Sequence, residues 1–301
     1  MKYRIERYSR TCFSAPVREH HFELRIAPWD DAGQRLSSLE LTVSPKAPFG
    51  VHRDCFGNQV HRTSLMSAHG EVEVRMTAEV ETLLANPFDY RPVAPARELE
   101  WVAGSLQEAP RLLDFLLCRS DKVPDLAPLA RDGVELPGYA PTRPVLDQIR
   151  EAMDWIRSTF ALDPEGTVAR PKLAELFQEG AGNSRDLAHL LVALGRSWGF
   201  PARYVRGYLD PAYFEPDDED EEPRQLPQIS HAWAEILIPG AGWRGFDPAR
   251  QLLADQTYIR VAVGRDADDV PTQRNTYKGD AQATETEDGL DVQPLDQPAS
   301  G

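Results

Sequence analysis

Three short segments between residues 182 and 248 carry side chains that could perform chemistry together. They are Gly182-Asn183-Ser184-Arg185-Asp186, Ser230-His231-Ala232-Trp233 and Gly245-Phe246-Asp247-Pro248. A hydroxyl, an imidazole and a carboxylate are the groups of a nucleophile–base–acid triad, in which the acid orients the base. A nucleophile at a helix start also feels the positive end of the helix dipole, and backbone N–H groups there can stabilise an oxyanion. The trio of Ser184, His231 and Asp247 is therefore compatible with attack on a carbonyl group.

Each member of the trio also has a purely structural interpretation. Ser184 is a good N-cap residue, Asp247 before Pro248 is a common turn former, and His231 could be a hydrogen-bonded polar residue. Any chain of this length contains a serine, a histidine and an aspartate. The interpretation of the site therefore depends on the elements that position these residues.

Those elements are predicted to be one helix followed by three strands. A helix is predicted from Ser184, because apolar residues follow at helical spacing and Gly199 is a natural stop; the apolar residues are Leu187, Leu190, Leu191, Leu194 and Trp198. Strands are predicted over 202–209, 230–238 and 242–246. A helix followed by antiparallel strands is an α+β pattern, and it puts His231 and Asp247 on neighbouring strands. The pairing register cannot be read from the pattern.

The rest of the chain divides into a β-rich start, a helical middle and an acidic end. In residues 1–100, apolar residues alternate with polar ones between turn segments, which predicts an N-terminal β-sandwich domain. A Pro-rich stretch follows, and helices are predicted over about 105–118 and 144–160. The helical segment and the core together occupy residues 101–279. Residues 280–301 are rich in Asp, Glu, Gln, Thr and Gly and are predicted to be a disordered acidic tail.

Composition excludes several classes of function. The 301 residues carry a net charge of −15, which argues against nucleic acid as a partner, because phosphate binding needs a basic surface. No apolar stretch is long enough to span a bilayer and the start lacks the apolar run of a secretory signal, so we expect a cytoplasmic protein without a membrane partner. The sequence shows no metal motif and no phosphate-binding loop, and it suggests no organic cofactor. The three cysteines, Cys12, Cys55 and Cys118, are too scattered for a disulfide framework or a zinc site.

The chain resembles the bacterial transglutaminase-like proteins in several ordered motifs. The run from Gly182 to Leu190 resembles their nucleophile helix, and Arg196 and the stretch 199–208 continue that motif. Residues 230–235 are similar to the histidine motif, and residues 242–248 to the aspartate motif. Residues 54–58 and 259–266 resemble a turn of the preceding β domain and the segment that closes the core.

The resemblance implies a papain-like transglutaminase core, in which the nucleophile helix packs on an antiparallel sheet. It also implies an activity, the attack of a cysteine thiolate on an amide or ester carbonyl, followed by release to water or to an amine. The substrate would be a peptide or protein, possible outcomes being hydrolysis, deamidation and amide transfer. By position, His231 would be the base and Asp247 its orienting partner.

Ser184 departs from this family pattern, because the resemblance places a cysteine there. Three explanations are open: a serine introduced in place of a natural cysteine, a natural loss of the nucleophile that leaves a binding protein, or a working Ser-His-Asp hydrolase. None of the three cysteines is a convincing substitute, because two fall in the β domain and Cys118 lies well upstream of the motif. A thiol is readily drawn to thiolate beside an imidazole, whereas an alkoxide is much harder to form.

Two further features receive structural interpretations. The run Asp217-Asp218-Glu219-Asp220-Glu221-Glu222 lies between two predicted core strands. It lacks the Gly-punctuated spacing of a calcium loop, so a solvated loop is favoured over a cation site or a device that selects basic substrates. His189 lies one turn beyond Ser184 on the helix, where packing or hydrogen bonding is favoured over catalysis.

Overall fold

The computed structural model describes residues 1–129, 134–163, 170–214 and 230–295, so the acidic run 217–222 lies outside the described residues. The helices are α1 Glu98–Glu108, α2 Asp114–Leu117, α3 Val145–Thr159, α4 Leu173–Glu179 and α5 Ser184–Ser197. The first strands are β1 Lys2–Leu24, β2 Gln34–Ser44, β3 Gly50–Arg53, β4 Gln59–Leu65, β5 His69–Thr82, β6 Ala161–Leu162 and β7 Ala181–Gly182. The remaining strands are β8 Ala202–Leu209, β9 His231–Ile238, β10 Gly242–Asp247, β11 Leu252–Leu253, β12 Tyr258–Gly264, β13 Gln273–Lys278 and β14 Ala283–Pro294.

The N-terminal domain is one curled antiparallel sheet of seven strands, in the order β2-β5-β1-β4-β3 with β13 and β14 also paired to β1. The long strand β1 belongs to both halves of the sheet, since residues 2–12 pair with β5 and residues 20–24 pair with β4. Its inward-facing side chains, such as Tyr3, Ile5 and Phe22, are buried. The predicted α+β class is confirmed. The region predicted to be a β-sandwich forms a strongly curled sheet whose two halves share β1, and β13, from the end of the segment predicted to be the core, also joins it.

The predicted disorder of residues 280–301 is wrong for residues 283–294. These residues form β14, which pairs with β1 from Tyr3↔Pro294 to Phe13↔Ala283. The segment buries little beyond Val292, which is 2% exposed, and its composition therefore resembles that of a disordered chain. Backbone hydrogen bonding to the open edge of β1 provides the order that side-chain burial does not.

The predicted helix over 105–118 is broken at its centre. Helix α1 ends at Glu108, and Pro110 opens a short 3-10 turn before α2. Proline lacks the N–H that would continue the helical ladder, and it restricts the residue before it to extended backbone. In the part of the chain that the structure describes, none of the helices is both long and apolar enough to cross a membrane.

The core sheet has the strand order β11-β10-β9-β8-β12, and its predicted strands agree with β8, β9 and β10 to within one residue. Helix α5 packs on one face of β9 and β8. A glycine at position 195 permits this close approach, because a Cβ there would lie 3.1 Å from Ile236 Cδ1. The guanidinium of Arg196 donates to the carbonyls of Ala202, Cys118 and Arg265 and so ties the helix end to three segments.

The opposite face of the core sheet is covered by the N-terminal domain. The side-chain amide of Asn58, which is fully buried, donates to the Val263 carbonyl at 2.7 Å and accepts from the Val263 N–H at 2.8 Å. The Glu235 carboxylate accepts from both Arg203 and Arg260, and Arg260 also pairs with Asp31. The contacts of Asn58 with Val263 and of Asp31 with Arg260 join the two domains along β12, and the Glu235 contacts hold Arg203 and Arg260 within the core sheet.

Candidate active site

The imidazole of His231 and the carboxylate of Asp247 form a direct hydrogen bond, with 2.6 Å between Nε2 and Oδ2. The pairing Phe246↔Ala234 places Asp247 opposite Trp233, and His231 lies two residues from Trp233 on the same face of the sheet. Because the bond occupies Nε2, the other ring nitrogen, Nδ1, is left to exchange a proton with a reacting group. The side chain of Asp247 is completely buried and that of His231 is 12% exposed.

Asp247 is held as a carboxylate by four donors. Besides His231, the Tyr258 hydroxyl donates to Oδ2 at 2.9 Å, and the backbone N–H groups of Ala249 and Arg250 donate to Oδ1 at 3.0 and 3.3 Å. Burial by itself would raise the pKa of Asp247, but the charge and hydrogen bond of His231 and the bond from Tyr258 hold it below its ordinary value. An ionised carboxylate is the form that can orient an imidazole and stabilise its protonated state.

Ser184 is the first residue of α5, as predicted, but it is not the N-cap. Asn183 caps the helix, since its side chain accepts from the N–H groups of Arg185 and Asp186 at 2.9 and 3.3 Å. Asp186 completes a capping box by accepting from the Asn183 N–H at 3.1 Å. The structural interpretation of Ser184 as a cap is therefore wrong, and its half-buried side chain stands at the positive end of the helix dipole.

The start of α5 and the start of β9 are joined by a hydrogen bond. Arg185 donates from Nη2 to the carbonyl of Ser230 at 3.0 Å. The chain neighbours of these two residues are Ser184 and His231, so this bond brings the elements that carry the predicted nucleophile and base to the same end of the core. The sequence offered no specific signal for this role of Arg185.

Trp233 forms the wall behind the His231–Asp247 pair. Its indole lies near-parallel to the His231 ring at a centroid distance of 6.5 Å and meets the Tyr258 ring edge-on at 5.2 Å. Glycines on both neighbouring strands make room for it: a Cβ on Gly207 would lie 2.4 Å from the indole, and one on Gly245 would lie 3.1 Å from its Nε1. Two of the glycines in the family motifs therefore serve to seat this tryptophan.

A cavity of about 980 Å³ lies on the far side of Trp233 and Tyr258 from the pair. It opens between the N-terminal domain, α1–α2 and the core sheet, and it is lined by aromatic side chains around the Glu235 ion pairs: Trp29, Phe56, Trp101, Phe115 and Trp243. Arg203 lies over the Trp243 ring at 4.1 Å. The volume of this cavity is at the upper end of the range for ligand-binding pockets. Within the described ranges no cluster of three or more His, Cys, Asp or Glu side chains is arranged to hold a metal ion.

Comparison with known family models matches two segments of the chain. Residues 138–248 match the model of the Transglutaminase-like superfamily, and residues 3–81 match that of the Bacterial transglutaminase-like N-terminal region. The chain therefore carries a transglutaminase-like core that follows a bacterial transglutaminase-like N-terminal region.

Relatives of this chain align with nearly all of it or with a part of it. It is 26% identical to "Uncharacterized protein Rv2569c" of Mycobacterium tuberculosis over 303 residues, which covers 98% of this chain and 93% of the relative. "Uncharacterized protein YebA" of Bacillus subtilis is 27% identical over 113 residues, which are 35% of this chain and 15% of that protein. A crystal structure described as "a Putative Cysteine Protease from Cytophaga hutchinsonii" superposes with a TM-score of 0.71 at 22% identity, covering 99% and 92% of the two chains. This likeness confirms the papain-like fold.

His189 and Tyr258 show what the sequence did and did not reveal about the transglutaminase-like site. His189 is buried, stacks on Tyr204 at 4.5 Å and accepts from the Ala267 N–H at 3.1 Å, which agrees with the predicted packing role. Burial lowers the pKa of His189 to about 3, so the ring is neutral. Tyr258, which contacts Asp247, was missed; it stands next to the recognised segment 259–266, but nothing in its spacing indicated a partner eleven residues earlier.

Proposed function

We propose that this protein carries the active site of an amide hydrolase or acyltransferase, with Ser184 at the nucleophile position, His231 as the base and Asp247 as its orienting acid. The observation that carries the proposal is the buried His231–Asp247 hydrogen bond of 2.6 Å at the strand end joined to the start of α5. The match of residues 138–248 to the Transglutaminase-like superfamily supports the reaction class. The substrate would be a peptide or protein with an amide or ester carbonyl, and the acyl acceptor would be water or an amine.

In the proposed reaction, His231 takes the nucleophile's proton on Nδ1 while Nε2 stays bonded to Asp247. The oxygen of Ser184 attacks the carbonyl carbon, and backbone N–H groups of the first turn of α5 stabilise the oxyanion. The proton then passes from His231 to the leaving amine or alcohol. Water or an amine attacks the acyl-enzyme in the second step, and His231 again accepts and returns the proton.

In our proposal, the serine makes the site a poor catalyst. A thiol has a pKa of about 8.5 and is drawn toward thiolate at a helix N-terminus beside a protonated imidazole. A hydroxyl stays protonated until attack and depends on the base at that moment. We therefore expect little or no turnover with Ser184 and a large gain on Ser184→Cys.

The test compares the parent with Ser184→Cys on a peptide and ester library, with an amine acceptor present. Ser197→Cys is the matched control, because it makes the same change at the other end of α5, where the hydroxyl donates to the Leu194 carbonyl. Activity that appears only with Ser184→Cys and is abolished by His231→Ala supports the proposal in its thiol form. Activity in the parent that vanishes with His231→Ala supports a serine hydrolase. Silence in all forms contradicts an enzymatic site.

A second candidate function is peptide or partner binding without turnover. The aromatic cavity of about 980 Å³, separated from the pair by Trp233 and Tyr258, favours it, because its volume and mixed aromatic and charged lining suit a short peptide segment. Trp29, Trp101 and Trp243 line this cavity, so ligand entry should change the intrinsic fluorescence. If the parent binds peptides and Ser184→Cys has no catalytic activity, the binding function is supported and the enzymatic function is contradicted.

A further inference from the structure

The Tyr258 hydroxyl shares an acceptor with His231. It donates to Oδ2 of Asp247 at 2.9 Å, and the same oxygen accepts from His231 Nε2 at 2.6 Å. Tyr258 is only 5% exposed, and its ring packs against Trp233. The direction of the carboxylate is therefore fixed by two side chains from different strands, β9 and β12.

The segment that carries Tyr258 is fastened at several points. The Ala254 N–H donates to the Gly245 carbonyl at 2.9 Å, which lays the connection between β11 and β12 against β10. The carbonyl of Gln256 accepts from the Thr82 hydroxyl at 2.5 Å, and the Tyr3 hydroxyl, which donates to Oδ2 of Asp210 at 2.7 Å, lies 3.4 Å from the same carbonyl. Thr82 and Tyr3 belong to the N-terminal domain. That domain therefore contacts the backbone two residues before Tyr258.

We propose that Tyr258 is a positioning residue for the His231–Asp247 pair, and that the N-terminal domain holds it in place through the Gln256 carbonyl. A catalytic role for Tyr258 rests on the proposed function, whereas its positioning of the Asp247 carboxylate does not. Tyr258 acts through Asp247, in contrast to His231, which would exchange the reacting proton. In this arrangement the first domain supports the chemistry of the second.

The hydroxyl has a defined electrostatic effect. Among the described residues, the ionisable groups that act on the Asp247 carboxylate are His231, Tyr258 and Arg250, and the other donors are backbone N–H groups. A hydrogen bond to a carboxylate stabilises its charged form, so removing the Tyr258 donor raises the pKa of Asp247. The bond between imidazole and carboxylate should then be lost at a higher pH when the protein is acidified.

The experiment compares Tyr258→Phe with Tyr208→Phe in the full chain. Tyr208 is the matched control, because it is also buried and its hydroxyl donates to the Ile26 carbonyl of the N-terminal domain at 2.8 Å, away from Asp247. Nitrogen-15 NMR follows the hydrogen-bonded Nε2–H proton of His231 as the pH is lowered. We expect its midpoint of loss to move up by at least about 0.5 pH unit in Tyr258→Phe and to stay in place in Tyr208→Phe.

The contribution of the N-terminal domain has its own variant. Thr82→Val keeps the side-chain shape and removes the donor to the Gln256 carbonyl. We expect a smaller shift in the same direction, because Tyr258 keeps its hydroxyl but loses part of its support. No shift in Thr82→Val would remove the N-terminal domain from the proposal, and equal midpoints in Tyr258→Phe and Tyr208→Phe would overturn the role of Tyr258.

A second readout separates this inference from the proposed function. In the Ser184→Cys background, iodoacetamide alkylation of the introduced thiol is followed against pH by mass spectrometry, which distinguishes it from Cys12, Cys55 and Cys118. Alkylation that persists at pH values well below the ordinary thiol pKa of about 8.5 supports a thiolate paired with His231. Ordinary thiol behaviour combined with the NMR shift in Tyr258→Phe would refute the proposed function and leave the positioning of Asp247 by Tyr258 supported.

Discussion

Replacing Gly207 by alanine would drive a methyl group into the seat of Trp233. A Cβ at this position would lie 2.1 Å from the carbonyl oxygen of Ile259 and 2.4 Å from Cη2 of Trp233. Neither neighbour can yield easily, because the carbonyl belongs to the paired strand β12 and the indole is 1% exposed. The variant therefore requires either a shift of the β8–β12 pairing or displacement of the tryptophan behind His231.

The loss of unfolding free energy can be estimated from the steric overlap of the new methyl group with its neighbours. An extra methyl group in a well-packed core costs about 1–3 kcal/mol, and the contact with backbone places Gly207→Ala near about 3 kcal/mol. At roughly 2 °C for each kcal/mol in a chain of this size, the melting temperature should fall by about 6 °C. Gly289→Ala on β14 is the matched control, because the nearest atom to its new Cβ would be Tyr8 Cβ at 3.9 Å.

Thermal unfolding followed by circular dichroism measures both variants. We expect Gly289→Ala to melt at or slightly above the parent temperature, because alanine reduces the entropy of the unfolded chain without a clash. A melting temperature for Gly207→Ala within about 1 °C of the parent would refute the packing argument. In the Ser184→Cys background, Gly207→Ala should also weaken the reactivity of the introduced thiol, because the tryptophan that moves lies against the His231 ring.

Three further predictions concern the contacts within the core sheet and between the two domains. Glu235→Gln leaves Arg203 and Arg260 buried with a weaker acceptor and should lower the unfolding free energy by about 3–5 kcal/mol, as measured by urea denaturation. Burial raises the pKa of Glu235, but the charges of Arg203 and Arg260 outweigh that effect and hold the pKa below its ordinary value of 4.5. The stabilisation by the Glu235 carboxylate is therefore present above about pH 4.5 and is lost as the carboxylate protonates. The difference in unfolding free energy between the parent and Glu235→Gln should accordingly shrink on acidification below about pH 4.5. Asn58→Ala leaves the buried N–H and carbonyl of Val263 without their side-chain partner and should cost about 2–4 kcal/mol in the same assay.

Exposed positions provide the controls for these variants. Glu151→Gln breaks an ion pair with Arg143 in which both side chains are about half exposed, and no measurable loss of stability is expected. Asn275→Ala changes an exposed asparagine on β13 and should leave the urea midpoint unchanged. If Glu235→Gln proved no more destabilising than Glu151→Gln, the stabilising role given to the buried Glu235 contacts would be contradicted. A loss as large for Asn275→Ala as for Asn58→Ala would contradict the role given to the Val263 contacts.

Much of the core could be predicted because its signals are local. The apolar stripe of α5 and the alternation in β8, β9 and β10 arise because one face of each element is buried. The spacing of apolar residue types in the sequence indicates which face that is. The break at Pro110 and the strand β14 were missed for different reasons. Pro110 is a local helix-breaking signal that competes with the apolar pattern around it, whereas β14 is ordered by hydrogen bonds to β1, about 280 residues away in the chain, which composition does not encode.

The sequence by itself predicted the family resemblance, the proposed reaction class and the three residues that could carry it, because ordered motifs preserve residue types and spacing. Only the tertiary structure decided how those residues meet. The strand register made His231 and Asp247 partners, Asn183 rather than Ser184 became the cap, and Arg185 tied the helix start to Ser230. The contact of Tyr258 with Asp247 depends on the curl of the sheet and on support from the N-terminal domain. Such contacts depend on where distant segments pack, and a pattern of local residue types does not specify that.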